Sequence, residues 1–461
     1  MSPPVRFLRS SRIVTPTGLF NGAVQIRDGR IAAVTPAIPA GAGVEDLGDL
    51  VLMPGLVDTH VHVNEPGRTD WEGFEAATNA AAAGGVTTLI DMPLNSSPVT
   101  TSVAALREKL AAASGKMRVD CGFHGGVVPG SEQEIAPLAR AGVLGMKAFL
   151  IHSGIDDFPA VGEADLRRAM PAIAAAGIPL LVHCEIASPV PGAAPADPAS
   201  YAGWCASRPP SWECAAIDLL ARLAREYSCK VHVVHVSSSD AIPVIGRARA
   251  QGVPLTAETC PHYLTFAAEE IPDGDTRFKC APPIRAGLHR ERLWGALGEG
   301  LLDFIVSDHS PSPPALKVPG DFQRAWGGIA SLQSGLAAVW TGARARGFGV
   351  TDLARWMCAG PASFAGLPKG VIAPGRDAAF RSLWGETSRY FIARPGFVSL
   401  RLHRAVNDDA PYRWVNVAVW ESEAAFRAAH GTEQFRTLVT APGWSEFPSL
   451  PALFEVDTEV G

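Results

Sequence analysis

Between residues 5 and 53 the apolar positions fall in short clusters broken by Gly, Pro and Asp. Phe7-Leu8, Arg12-Ile13-Val14, Ala23-Val24-Gln25-Ile26, Arg30-Ile31-Ala32-Ala33-Val34 and Leu52-Met53 are brief enough for strands and predict a small β module over 1–53. From Met53 to about Gly366 the rhythm changes. Apolar runs at 56–63, 87–92, 119–128, 145–151, 180–185, 230–237, 255–264 and 304–309 alternate with Ala/Leu-rich helical stretches such as 75–83, 103–113, 164–176, 214–227 and 240–251. Strand-helix alternation of this length predicts an α/β fold, either a (β/α)8 TIM barrel of ~250 residues or a doubly wound open sheet. After Gly375 the pattern shifts again, to a helix at 377–393, paired strands at 397–405 and 412–420 around Asn407-Asp408-Asp409, a helix at 423–438 and a short strand at 453–456. The chain therefore divides into 1–53, 54–375 and a small α+β module at 376–461. Residues 187–199, rich in Ala and Pro, read as a surface loop.

The chemistry lies at the ends of the apolar runs. In Val57-Asp58-Thr59-His60-Val61-His62 the two histidines are two apart and share one face of a strand. Such a pair also occurs as packing histidines, so the other run ends carry the decision. Lys147 sits inside Gly-Met-Lys-Ala-Phe-Leu, where a lysine is costly unless it snorkels out, is paired or is chemically altered. His183 closes Leu-Leu-Val-His, His235 closes Val-His-Val-Val-His, and Asp308 closes Phe-Ile-Val-Ser-Asp. His232 and His235 are three apart and face opposite sides, which leaves His232 as a packing residue. Metal-ligand types at the ends of the first, fourth, fifth, sixth and eighth runs favour the barrel. Only a closed cylinder brings the first and eighth strands together.

These residues resemble the amidohydrolase superfamily, specifically its cyclic amidohydrolase branch of allantoinases, dihydroorotases and hydantoinases. The stretches that match allantoinases are His60-Val-His-Val-Asn-Glu-Pro-Gly-Arg, Asp91-Met-Pro-Leu-Asn-Ser96, Lys147-Ala-Phe-Leu, Glu258-Thr-Cys-Pro-His-Tyr-Leu264, Lys279-Cys-Ala-Pro-Pro-Ile-Arg285, Asp308-His-Ser-Pro311 and Trp326-Gly-Gly-Ile329. The resemblance covers residues 5–375. It implies that His60 and His62 hold one metal, His183 and His235 a second, that carbamylated Lys147 bridges them, and that Asp308 completes the first site and acts as the catalytic base. Zn2+ is the default pair of ions, and Fe, Co and Mn suit the same donors. A bridging hydroxide would open allantoin to allantoate in purine and ureide catabolism. Asn95 and Ser310 match substrate-binding positions. Arg68 packs with Glu65 or lines the mouth, and His124, His152 and His262 stay unassigned. Asn64 stands where dihydroorotases carry an arginine, and a neutral residue there suits a neutral hydantoin ring. A hydantoinase or dihydropyrimidinase activity is the alternative, and a non-catalytic barrel scaffold is a second.

Allantoinases complete the N-terminal β-sandwich with strands beyond residue 378, and those strands are missing from this sequence. Residues 377 onward instead resemble the antibiotic-biosynthesis monooxygenase-like domain, a ferredoxin-like fold, without its first strand. The expectation is an incomplete N-terminal sandwich joined at a recombination or assembly seam near Gly370-Val-Ile-Ala-Pro-Gly-Arg-Asp-Ala378. Net charge is −6 with no basic run, which argues against nucleic acid or an anionic membrane as partner. Neither a secretion signal nor an apolar run of membrane-spanning length is evident. Eight dispersed cysteines with no CxxC pair suit free thiols in the cytoplasm. The resemblance adds a homo-oligomer, a tetramer in the family.

Overall fold

The computed structural model describes residues 6–189, 197–374, 376–404 and 414–440, with Trp444 and Phe447. The chain forms two compact units, one of residues 53–371 and one of residues 1–52 with 372–461.

In the second of these, the alternation at the N-terminus becomes strands β1 (Arg6–Thr15), β2 (Gly18–Arg27), β3 (Arg30–Thr35), β4 (Gly43–Asp46) and β5 (Val51–Leu52). The sheet order is β3-β2-β1-β4, with β5 also on β1. Its apolar side gathers Ile13, Val24 and Ile372 with Phe20, Ile26, Ile31, Val34 and Leu52.

The unit of residues 53–371 carries strands β6 (Leu56–Val61), β7 (Val86–Asp91), β8 (Asp120–Phe123), β9 (Gly125–Gly126), β10 (Met146–Phe149), β11 (Leu180–His183), β12 (Val231–Val233), β13 (Leu255–Thr259) and β14 (Phe304–Ile305). All six residues of β6 and all four of β10 and β11 are buried, so Asp58, Thr59, His60, Lys147 and His183 stand out of solvent among the apolar members of these strands. Every pairing is parallel. β6-β7-β8 form one arc and β9 through β14 another. The single run expected at 119–128 breaks at His124, so β8 serves β7 and β9 serves β10. Past β14, His309 bridges Val61 in parallel, and His62 N donates to His309 O at 2.8 Å. The first and last segments of the series thus lie side by side.

Helices fill the intervals close to their expected places. Val103–Ala113 starts where the Ser102 side chain accepts from Ala105 N, and Glu163–Ala176 starts where Asp165 accepts from Gly162 N and stops at Gly177, whose φ of 72° suits a residue without Cβ. Pro210 opens the helix Pro210–Tyr227, at a position where its missing N–H costs nothing.

At the C-terminus, the helix Arg376–Ile392 precedes an antiparallel pair, β15 (Phe397–Arg404) and β16 (Trp414–Trp420). Tyr390, Phe391 and Ala429 pack with Phe397, Trp420, Phe435 and Leu438. The helix expected over 423–438 is instead two, Glu423–His430 and Glu433–Val439. Thr432 causes the break, because its hydroxyl accepts from Phe435 N at 3.0 Å and caps a new start. The turn at 407–409 and the strand expected at 453–456 lie outside the described residues.

Candidate active site

The pleat of β6, continued one residue past its end, puts Asp58, His60 and His62 on a common side. Asp58 fixes the strand end, accepting from His60 N at 3.1 Å and from Ser307 N at 3.0 Å. Burial pushes its carboxyl up to about 6. His60 lies between two carboxylates, with Nδ1 2.6 Å from Glu258 Oε1 and Nε2 3.2 Å from Asp308 Oδ1. His62 Nε2 is 3.5 Å from the same Asp308 oxygen. Across the cluster, His183 Nδ1 and His235 Nε2 are 3.1 Å apart. The His60 ring centroid is 5.5 Å from that of His62 and 5.4 Å from that of His235. Ligand atoms of His60, His235 and Asp308 all fall within 4.8 Å of one another.

The rings are oriented from behind. His183 Nε2 lies 2.7 Å from Glu185 Oε2, and Arg208 holds that carboxylate in turn. With Glu185 accepting, the ring proton sits on Nε2 and the Nδ1 lone pair faces His235. Phe149 stacks on His183 at 4.7 Å. Glu258 also receives His232 Nε2 at 2.9 Å, and His232 Nδ1 is 2.7 Å from Thr256 Oγ1. His232 is thus a fully partnered packing histidine, although it shares the Glu258 carboxylate with His60 instead of facing away from it. Burial, with the charge of Lys147 next for His60 and of His183 next for His235, holds both imidazoles well below the usual range. Burial also lowers His183. A neutral imidazole keeps one N–H for the group behind it and leaves the other nitrogen's lone pair free, the form a metal needs.

Lys147 is 0% exposed, and its Nζ has no hydrogen-bond partner. It lies 4.9 Å from the Phe149 ring centroid. Burial lowers it to about 8 against the opposing pull of Asp308 and Glu258. An orphaned amine beside four histidines is costly as it stands. His62 Nδ1 and His235 Nδ1 are also buried without partners. Inward-facing imidazoles, a carboxylate and an amine able to become a carbamate fit a pair of divalent cations.

Asn95 and Ser310 are both buried. Asn95 O accepts from half-buried Arg68 Nη1 at 2.8 Å, which ties two loops together. Ser310 N donates to Ile329 O at 3.1 Å. Gly328, at φ 140°, passes so close to Ser310 that a Cβ there would sit 2.4 Å from its carbonyl oxygen. Among the described residues, neither side chain hydrogen-bonds to the six metal-ligand candidates. Asn64, Asn95, His235 and Asp308 all have positive φ, between 42° and 68°. Non-glycine residues in that region are strained and gather at functional sites. Glu258 has no role in the sequence reading. The reasoning applied to Lys147, a charged residue inside an apolar strand, would have found it in Leu-Thr-Ala-Glu-Thr. Lys109 and Asp91 form a further buried pair at 2.5 Å, and Asp91 Oδ1 accepts from Val63 N at 2.9 Å, fixing the residue after His62.

Comparison with known proteins places this arrangement in context. The amidohydrolase family matches residues 51–416, and the allantoinase composite domain matches residues 7–37. The chain is 51% identical to an allantoinase of Streptomyces avermitilis over 83% of its length and 87% of the relative. It is 45% identical to a mitochondrial allantoinase of Aquarana catesbeiana, covering 83% of this chain and 80% of that one. Among solved structures, an L-hydantoinase (dihydropyrimidinase) from Arthrobacter aurescens aligns with a TM-score of 0.74 at 31% identity, covering 80% of this chain and 84% of the other.

Proposed function

Because the chain belongs to the amidohydrolase family and, within it, to the allantoinases, we propose that it hydrolyses the cyclic amide of allantoin to allantoate. The observation that carries the reading is the gathering of His60, His62 and Asp308 with His235 and His183, and beside them the unpartnered amine of Lys147, whose charge acts on His60, His183 and His235. His60, His62 and Asp308 would hold one divalent cation, His183 and His235 a second, and carbamylated Lys147 both. When bound, such a pair lowers the pKa of water and polarises a carbonyl. Imidazole and carboxylate donors make zinc the first choice.

The protein's own groups do the rest. Asp308 takes the proton of the attacking water and returns it to the leaving ring nitrogen, so the C–N bond breaks as a carboxylate and a free ureido amine form. The left-handed backbone at Asp308 aims its carboxylate at His60 and His62, where that proton is released. Asn95 and Ser310 bind the ring's polar edge, and Asn64 presents it a neutral amide.

The parallel pairing series and the His309–Val61 bridge support reading residues 54–375 as a TIM barrel. The β1–β5 sheet suits an incomplete β-sandwich over 1–53. The helix, antiparallel pair and following helices suit a ferredoxin-like, monooxygenase-type module over 376–461 that lacks its first strand. All eight cysteines are free, which suits the cytoplasm, and no described helix is long and apolar enough to cross a membrane. A homo-oligomer completes the reading and is testable by light scattering. The decisive experiment measures allantoin hydrolysis and bound metal together, before and after a chelator. Activity that persists in metal-free protein would overturn the proposal.

A further inference from the structure

Asp308 belongs also to a second cluster, whose other two members the reaction does not use. Cys260, His262 and Asp308 each offer one ligand atom, and the three lie within 4.8 Å of one another. Strand geometry accounts for it. Glu258 on β13 faces His60, so Cys260, two residues on, turns to the same side. The short helix Pro261–Thr265 then brings in His262. His262 is 3% exposed, and both of its ring nitrogens are buried without a partner. Leaving both unsatisfied costs free energy that a ligand would recover.

The donor chemistry differs from that of the main cluster. A thiol, an imidazole and a carboxylate form a softer set, suited to Cd2+ or surplus Zn2+ more than to Mg2+ or Mn2+. A carboxylate shared with a further cation holds each partner less firmly, so a cation on Cys260 and His262 draws Asp308 away from His60 and His62.

We propose that Cys260, His262 and Asp308 form an inhibitory site for a thiophilic divalent cation, which acts by withdrawing Asp308 from the reaction. On binding, the Cys260 S–H bond breaks, its proton passes to solvent, and a metal–thiolate bond forms. His262 and Asp308 add a nitrogen and an oxygen ligand, and nothing is oxidised or reduced. The inhibitory consequence rests on the role given to Asp308 above, whereas the binding does not.

The test titrates the metal-loaded enzyme with Cd2+ and follows three quantities. They are the ultraviolet thiolate-to-cadmium absorption, the cadmium bound per chain, and the rate. We expect the absorption to rise in step with one additional cadmium and with the loss of rate. Cys260→Ser should remove the absorption and raise the inhibitory Cd2+ concentration by about 10–100-fold, the scale on which changes around a metal shift affinity. His262→Gln should raise it too, and Cys260→Ala stands in if the serine variant does not fold. Cd2+ that inhibits Cys260→Ser as strongly as the unaltered chain would overturn the proposal. So would a loss of rate with no thiolate absorption, which means displacement of the resident ions. If the chain proves inactive on allantoin, the absorption and the bound cadmium still decide whether the site exists.

Discussion

Glu258 Oε1 lies 2.6 Å from His60 Nδ1, a contact between side chains 198 positions apart and both essentially out of solvent. It sets which imidazole nitrogen faces the cluster. With Glu258 accepting at Nδ1, the His60 lone pair is on Nε2, the atom nearest Asp308.

Glu258→Gln should therefore loosen the metal site without emptying it. The amide still accepts from one imidazole, but its NH2 must meet the other. We expect metal affinity to fall about 10–100-fold, measured by competition with a chromophoric chelator. Unchanged affinity would mean that His60 is oriented by packing alone.

Lys147→Met should cost far more. Methionine matches the volume of the buried stem but cannot form a carbamate. We expect turnover to fall by about 100-fold or more and bound metal to drop, read by elemental analysis. A Lys147→Met variant that holds two ions per chain and works at full rate would remove the bridge from the mechanism.

Substrate selection should follow charge. Asn64 is 1% exposed, and its Nδ2 donates to Pro311 O at 3.2 Å, leaving no cation at this position. A dihydroorotate carboxylate would be buried unpaired there. We expect kcat/KM for dihydroorotate to be about 100-fold or more below that for allantoin. Comparable values would show that another group receives the carboxylate.

Stability should change with alkaline pH through Lys279. Its Nζ donates to Ala325 O at 2.6 Å and Gln323 O at 3.2 Å and sits 4.6 Å from the Trp204 ring, pinning the segment that leads to Gly328, which packs on Ser310. Burial lowers it from the ordinary 10.5 to about 8. Between these values the unfolded chain holds a proton that the folded chain has lost, so this group makes stability rise with pH over that window. Comparing Tm against pH for the unaltered chain and Lys279→Met isolates the contribution. The unaltered chain should gain on the variant from pH 8 upward, and a constant difference would assign Lys279 a purely packing role.

The order of strands and helices was legible along the chain because local periodicity reports which positions face an interior. The six candidate ligands were legible for a related reason. Polar and charged residues that end apolar runs are too costly to leave there without a purpose. The antiparallel pair β15–β16 was visible too, and its described residues fall inside the runs at 397–405 and 412–420.

Other features depended on distance in space. No local pattern says that Glu258 stands between His60 and His232, that Arg68 reaches Asn95, or that Cys260 and His262 share Asp308. The break of β8–β9 at His124 and the split helix at Thr432 likewise arise where one backbone or side-chain hydrogen bond outweighs a weak regional propensity. Sequence periodicity records burial, an average over many neighbours. Which particular neighbours meet is a matter of strand register and of contacts between residues hundreds of positions apart, and only the folded chain sets those.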